Sequence, residues 1–255
     1  MNNRTSSRVE QLPPSGIREF FELVIGTPGV ISLGVGEPDF STPKPIRDKA
    51  ISTINEGMTS YTSNWGIKEL REEISKYISK QHKITYDPDK EIMLTVGVSE
   101  ALDIVFRAIV NPGDEIIMPD PQFVSYFPLA NLAGAKTVYV PTNLENKFRP
   151  DPDDLRKLIN KNTKALFLNF PSNPTGATMT RELADEIVKI VLENDIFLIS
   201  DEVYLPLTYE GEMVSFADYP ELKNNLIYLH GFSKAWAMTG WRIGFICAPN
   251  DVVKN

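Results

Sequence analysis

The sequence predicts an α/β fold of three layers, αβα, around a mostly parallel seven-stranded sheet with one antiparallel strand. Three observations carry this expectation. From residue 91 onward, short apolar runs alternate with stretches of helical periodicity, the pattern of strands joined by helices lying on both faces of a sheet. Turn-forming groups such as Asn111-Pro112-Gly113 and Asp151-Pro152 separate the units. The last two apolar runs have no clear helical stretch between them, so their connection is irregular and one strand reverses direction.

The elements follow in order. Residues 1–14 read as an extended arm. Ser15 caps a short helix whose apolar face is Ile17, Phe20, Phe21, Val24 and Ile25, with Gly26 as its stop. Pro45 to Gly57 reads as a helix with proline in its first turn and glycine past its last. Tyr61 to Gly66 is a polar, aromatic loop. Residues 67–83 form an amphipathic helix, with Ile67, Leu70, Ile74, Tyr77 and Ile78 at helical spacing. Strands are expected at 91–96, 115–118, 136–140, 164–169, 196–200, 226–230 and 243–248, and helices at 99–110, 123–133, 151–160 and 180–194.

Composition narrows the function. The 255 residues carry a net charge of −8, which argues against nucleic acid or an anionic membrane as the partner. A hydrophobic content of 42% is enough for a sizeable core. The single cysteine, Cys247, excludes an internal disulfide and suits a reducing cytoplasm. Met1 to Gln11 is polar, so no signal peptide is expected, and no apolar run is long enough to span a bilayer. The glycines fit neither a dinucleotide fingerprint nor a Walker A loop, and no metal site is expected.

The chemistry centres on Lys234. It follows the apolar run Leu226 to Leu229, so it sits where a strand ends, the place where α/β sheets put their reacting groups. A lysine in an apolar, turn-rich setting loses its proton more readily and becomes a nucleophile toward an aldehyde. Arg242, eight residues on, is a planar cation suited to a phosphate. An amine and a phosphate anchor this close point to a cofactor carrying an aldehyde and a phosphate, a description that pyridoxal phosphate fits. Gly97-Val98-Ser99, between a strand and a helix, offers free backbone N–H groups and a hydroxyl to an anion; Ser99 reads equally well as a helix cap. Asp201 emerges from the apolar run Ile196 to Ser200, where a carboxylate is costly unless paired.

The stretch His230 to Gly244 resembles the cofactor-lysine signature of class I/II aminotransferases, which are fold-type I pyridoxal-phosphate enzymes. The resemblance covers the chain from the helix near Ser15 to its end. It puts Lys234 at the position that bonds the cofactor, and Arg242 with the turn Gly97, Val98 and Ser99 at the phosphate. Where the family often has a serine, three residues before the lysine, this chain has Gly231, and Ser233 is the candidate to take part of that role. The resemblance further implies that Phe123 stacks on the pyridine ring, that Asp201 pairs with its nitrogen, and that Asn173 and Tyr204 reach its phenolic oxygen. Gly36, in Gly36-Glu37-Pro38-Asp39-Phe40, would present backbone at the substrate edge beside Asn173, and Tyr61 would reach the phosphate of a neighbouring subunit in a homodimer.

The function so implied is pyridoxal-phosphate-dependent transfer of an amino group between an amino acid, of aromatic or aspartate type, and a 2-oxo acid, with Lys234, Asp201 and Tyr204 as the catalytic set. The alternatives are a β-lyase or synthase on the same fold, or a non-catalytic fragment that binds the cofactor. The expected organisation is an N-terminal arm and small-domain segment over 1–45 and a cofactor-binding large domain over 46–255. The family's C-terminal part, with the arginine that grips the substrate carboxylate, is expected to lie beyond Asn255.

Overall fold

The computed structural model describes residues 4–13, 27–31, 34 and 36–254. The helix expected from Ser15 through Ile17, Phe20, Phe21, Val24 and Ile25 to Gly26 lies outside the described residues. The arm is not wholly extended. Ser6 accepts the Arg8 N–H at the start of a single turn, α1 (Ser7–Glu10), and Arg8 Nη1 donates to the Leu132 carbonyl at 3.1 Å.

Seven strands form one sheet: β1 (Ile92–Thr95), β2 (Glu115–Asp120), β3 (Lys136–Pro141), β4 (Thr163–Asn169), β5 (Phe197–Asp201), β6 (Leu226–Gly231) and β7 (Gly244–Cys247). Their order is β1-β7-β6-β5-β4-β2-β3. β7 runs antiparallel to both its neighbours, and every other pairing is parallel. The reversed strand is therefore the one whose connection lacks a helix: β6 reaches β7 through an irregular loop containing a 3₁₀ turn at Thr239–Trp241.

The helices are α2 (Lys44–Asn55), α3 (Lys68–Gln81), α4 (Gly97–Ile109), α5 (Tyr126–Ala133), α6 (Pro152–Leu158), α7 (Arg181–Asn194) and α8 (Asn250–Lys254). Thr180 caps α7 by accepting the Leu183 N–H, and Asp151 caps α6 through Asp153 N. Alternation along the strands sends side chains to two cores. Leu166, Leu168 and Leu198 pack with α3, α6 and α7 through Ile74, Ile78, Leu155, Ile187 and Val191. Ala165, Phe167 and Ile199 pack with α4 and α5 through Leu102, Val105, Phe106 and Ala130. Burial on both faces explains why the middle of β4, Ala165 to Leu168, is an unbroken apolar run.

Two boundaries move in ways that bear on the site. The helix expected at 99–110 begins at Gly97, and Asp201, expected to follow its strand, is the last residue of β5. The parallel strands place their carboxyl ends on one edge, where Gly97, Asn169, Asp201 and Gly231 all lie.

Candidate active site

Lys234 lies in the loop after β6. Its Nζ donates to the Gly36 carbonyl at 2.7 Å and stands 5.6 Å from the centre of the Tyr204 ring. Partial burial lowers its proton affinity; Glu37 opposes that, and the positive charge of Arg242 adds to it. The loop is tightly folded: Ala237 and Arg242 both take left-handed backbone conformations, and the Ser233 carbonyl accepts the Met238 N–H. Thr42 ties the Gly36 segment to the same loop, donating to the Ala237 carbonyl and accepting from Trp241 Nε1.

Arg242 points at the start of α4. Gly97 has φ +73°, and a Cβ built there would stand 2.4 Å from an Arg242 guanidinium nitrogen. The guanidinium, whose Nη1 donates to the Thr239 carbonyl at 3.1 Å, thus lies beside the start of α4, an arrangement that suits an oxyanion. The Val96 N–H is already satisfied by the Glu100 carboxylate. Ser99 is exposed in the first turn, and no side chain caps α4, so its alternative reading as a helix cap is not realised. Gly244 passes so close that a Cβ would come within 2.6 Å of Gly97 backbone. A Cβ on Gly231 would meet the Ile243 carbonyl and Val98 Cγ2 at 3.1 Å, so Val98 crowds the place where the family carries a serine.

Asp201 is buried, and burial pushes its carboxyl up to about 6, against hydrogen bonds that favour the ionised form. It accepts the Tyr126 hydroxyl at 3.0 Å and the Val203 N–H at 3.2 Å. Neither donor is a cation, so the carboxylate has room for a positively charged partner. Asn169 locks the neighbouring pieces: its Nδ2 donates to the Asp201 carbonyl at 2.8 Å, and its Oδ1 accepts the Asn173 N–H at 2.9 Å. Burial and Asp201 push the Tyr204 phenol up, and the Asn173 side chain nearby opposes them. Phe123 precedes α5 instead of opening it and meets Tyr126 edge-on, ring centres 5.5 Å apart.

The structure brings Gly36, Tyr204, Lys234, Arg242 and Gly97 to one place, and links Asn173, Asp201 and Phe123 through Asn169 and Tyr126. It does not join Tyr61 to them through any contact within the chain: the Tyr61 side chain is wholly exposed. Sequence reasoning missed Tyr126 and Asn169. Each left a faint signal, a tyrosine three residues after Phe123 and a polar residue closing an apolar strand four residues before Asn173. Among the described residues, no group of His, Cys, Asp and Glu is arranged to hold a metal, and no helix is long and apolar enough to cross a membrane.

The family model described as "Aminotransferase class I and II" matches residues 28–255. The aromatic-amino-acid aminotransferase 2 of Thermococcus litoralis is 43% identical over 98% of this chain and 64% of its own length. The aspartate aminotransferase of Pyrococcus abyssi is likewise 43% identical, over 98% of this chain and 64% of its own. Among solved structures, an aspartate aminotransferase from Thermus thermophilus with maleate superposes with a TM-score of 0.93 at 38% identity, covering 99% of this chain and 66% of that one. The chain spans 64% of the length of the two curated relatives.

Proposed function

This chain belongs to the class I and II aminotransferase family, and from that premise we propose that it is the cofactor-binding part of a pyridoxal-phosphate-dependent enzyme moving an amino group between an amino acid and a 2-oxo acid. The observation that carries this reading is the meeting of Lys234, with its weakened hold on a proton, and the Gly97–Arg242 cradle at one edge of the sheet, the edge where the buried carboxylate of Asp201 also lies. We assign residues 46–255 to the large domain and 1–45 to an arm and small-domain segment.

When bound, pyridoxal phosphate supplies an aldehyde that captures amines and a pyridinium that withdraws electrons. The chain's own residues do the rest. Arg242 and the N–H groups of Gly97, Val98 and Ser99 would hold the phosphate, with Ser233 as a further candidate donor. Asp201, kept in place by Tyr126, would pair with the ring nitrogen and favour its protonated form. Asn173 and Tyr204 would be the hydrogen-bond partners of the ring oxygen, and Phe123 would be the aromatic side chain for a ring face. Lys234 Nζ would be the amine that holds the cofactor, and the same amine would be the base for the proton on the substrate's Cα. Gly36, which accepts from Lys234 here, lines the substrate edge with Asn173.

The names of the relatives, aromatic-amino-acid and aspartate aminotransferases, support a substrate of one of those two types. The unpaired Cys247 suits a reducing compartment, and we place the enzyme in the cytoplasm. The test is the chain extended to the length of its relatives, supplied with amino acid, 2-oxoglutarate and cofactor. We expect keto acid and glutamate in equal amounts. Pyruvate with ammonia means elimination and overturns the transfer reading.

We also propose that the working unit is a homodimer with Tyr61 serving the neighbour's phosphate. Helix α2 has no buried residue, yet it leads an apolar stripe, Ile51, Ile54 and Met58, exposed by 58%, 65% and 70%, that runs on to Tyr61. A helix of 12 residues is marginal without packing, so such a stripe calls for a cover, and a second copy offers a matching one. Mixed dimers of Tyr61→Phe and Lys234→Ala subunits, in the extended chain, contain one site with neither lesion. Activity should recover on mixing, and verified subunit exchange without recovery would rule out a shared site.

A further inference from the structure

Asp201 and Glu202 are neighbours at the end of β5, so they face opposite sides of the sheet. Asp201 meets Tyr126 on the α4/α5 side. Glu202 lies on the α3/α7 side, the side of Tyr86, Tyr228 and Cys247. There Ser200, Tyr228 and Cys247 stand in register across β5, β6 and β7. Glu202 Oε1 accepts the Ser200 hydroxyl at 2.9 Å and the Phe216 N–H at 3.0 Å. Among the described residues, three buried oxygens in this cluster have no hydrogen-bond partner: Glu202 Oε2, the Tyr86 hydroxyl and the Tyr228 hydroxyl.

Buried polar atoms are almost always bonded, and leaving three orphaned together is far costlier than admitting a bridging molecule. The three offer two phenolic donors and a carboxyl oxygen, and no cation bonds them. His82 is taken by Asp218 at 2.9 Å; Lys223 lies over the Tyr86 ring but pairs with Glu91 at 2.7 Å. A set of this kind, walled by the core, suits water better than any charged ligand.

We propose that Glu202, Tyr86 and Tyr228 form a second polar site, on the face of the sheet opposite Asp201, that binds ordered water and fixes the end of β5. Burial pushes the Glu202 carboxyl up to about 7, against the nearby Ser215 and His82 and the hydrogen bonds from Phe216 and Ser200. Below that pH the carboxyl carries its proton, so no second negative charge stands behind Asp201. Burial, with Glu202 and Cys247 close by, keeps both phenols protonated. The site does not depend on the amino-transfer reading, so the failure of either leaves the other standing.

The test uses the intact chain and Glu202→Gln, an isosteric neutral side chain. An acid whose proton is held more tightly in the fold weakens that fold as pH rises from its unfolded value, 4.5, to its folded one, about 7. The melting temperature of Glu202→Gln should match wild type near pH 4.5, then exceed it by a margin that grows to pH 7 and stays constant above. A margin that does not change across this window, or a variant less stable than wild type at pH 8, overturns the proposal. Should the variant fail to fold, ¹³C NMR of wild type labelled in its glutamate carboxyls decides: one resonance titrating near pH 7 is expected, and none above pH 6 refutes it. A high-resolution crystal structure should show water within hydrogen-bonding reach of all three oxygens, and a dry, collapsed cluster would equally refute it.

Discussion

Replacing Lys234 with alanine is expected to remove all covalent attachment of pyridoxal phosphate and, in the extended enzyme, to lower turnover by a factor of at least ~10²–10⁴, the usual contribution of a positioned proton-transfer group. The argument is electrostatic and geometric. Burial disfavours the ammonium of Lys234, and Arg242 disfavours it further, while Glu37 holds part of the charge in place. The amine is therefore easier to deprotonate than an exposed lysine, and it stands over Tyr204 at the strand-end edge. Among the described residues its only hydrogen-bond acceptor is the Gly36 carbonyl, so the alanine variant loses one loop contact and should keep its fold. Borohydride reduction of the cofactor-loaded wild type, followed by peptide mass mapping, should place the label on Lys234. Label on another lysine, or unchanged labelling of the variant, would end this assignment.

The second large effect is expected at Asp201. With Asp201→Asn, the dissociation constant for pyridoxal phosphate should rise by roughly 10²-fold or more, because removing one member of a buried ion pair commonly costs about 3–5 kcal/mol. The cofactor-free chain should respond in the opposite sense. Burial raises this carboxyl from 3.8 to about 6, so it weakens the fold progressively between those pH values and fully above the higher one. That gap corresponds to roughly 3 kcal/mol. Asp201→Asn without cofactor should therefore equal wild type in stability below pH 3.8 and exceed it above about 6. Spectrophotometric cofactor titrations and denaturant unfolding, both across pH, measure the two halves. A variant that binds cofactor as tightly as wild type would show that Asp201 has no cationic partner; one that binds weakly and is also less stable without cofactor would show that Asp201 is structural.

The opposite signs distinguish a site residue from a scaffold residue. A carboxylate kept buried with, among the described residues, a phenol and one backbone N–H as its donors is a strain on the empty fold. That strain is relieved when a cation arrives, which is why the stability cost and the binding gain belong to the same side chain. Glu202, one residue on, shows the contrasting solution: it too is buried, but its Oε1 is bonded by Ser200 and Phe216 and its surroundings favour a neutral group.

By itself the sequence determined the layer architecture, because that rests on short-range periodicity. The runs at 164–169 and 226–230 have unbroken apolar centres, Ala165 to Leu168 and Leu226 to Leu229, as a strand covered on both faces requires, and the stretch 180–194 repeats apolar residues at helical spacing behind the Thr180 cap. The missing helix between the last two runs was enough to expect the reversed strand. Lys234, Arg242, Asp201 and Asn173 were legible as candidates because each stands beside a strand end with turn formers or apolar residues around it.

The tertiary structure alone decided how those candidates are held. Tyr126 bonds Asp201 across 75 positions of chain, and no local pattern encodes such a contact. Helix α4 starts at Gly97 and not at Ser99 because the turn after β1 needs a left-handed residue with no Cβ beneath the Arg242 guanidinium, a demand set by a side chain more than a hundred residues away. Val98 crowds the place of the absent serine at Gly231, again across the sheet. Periodicity reports which face of an element is apolar, while long-range packing decides which polar atoms meet, and catalysis depends on the second.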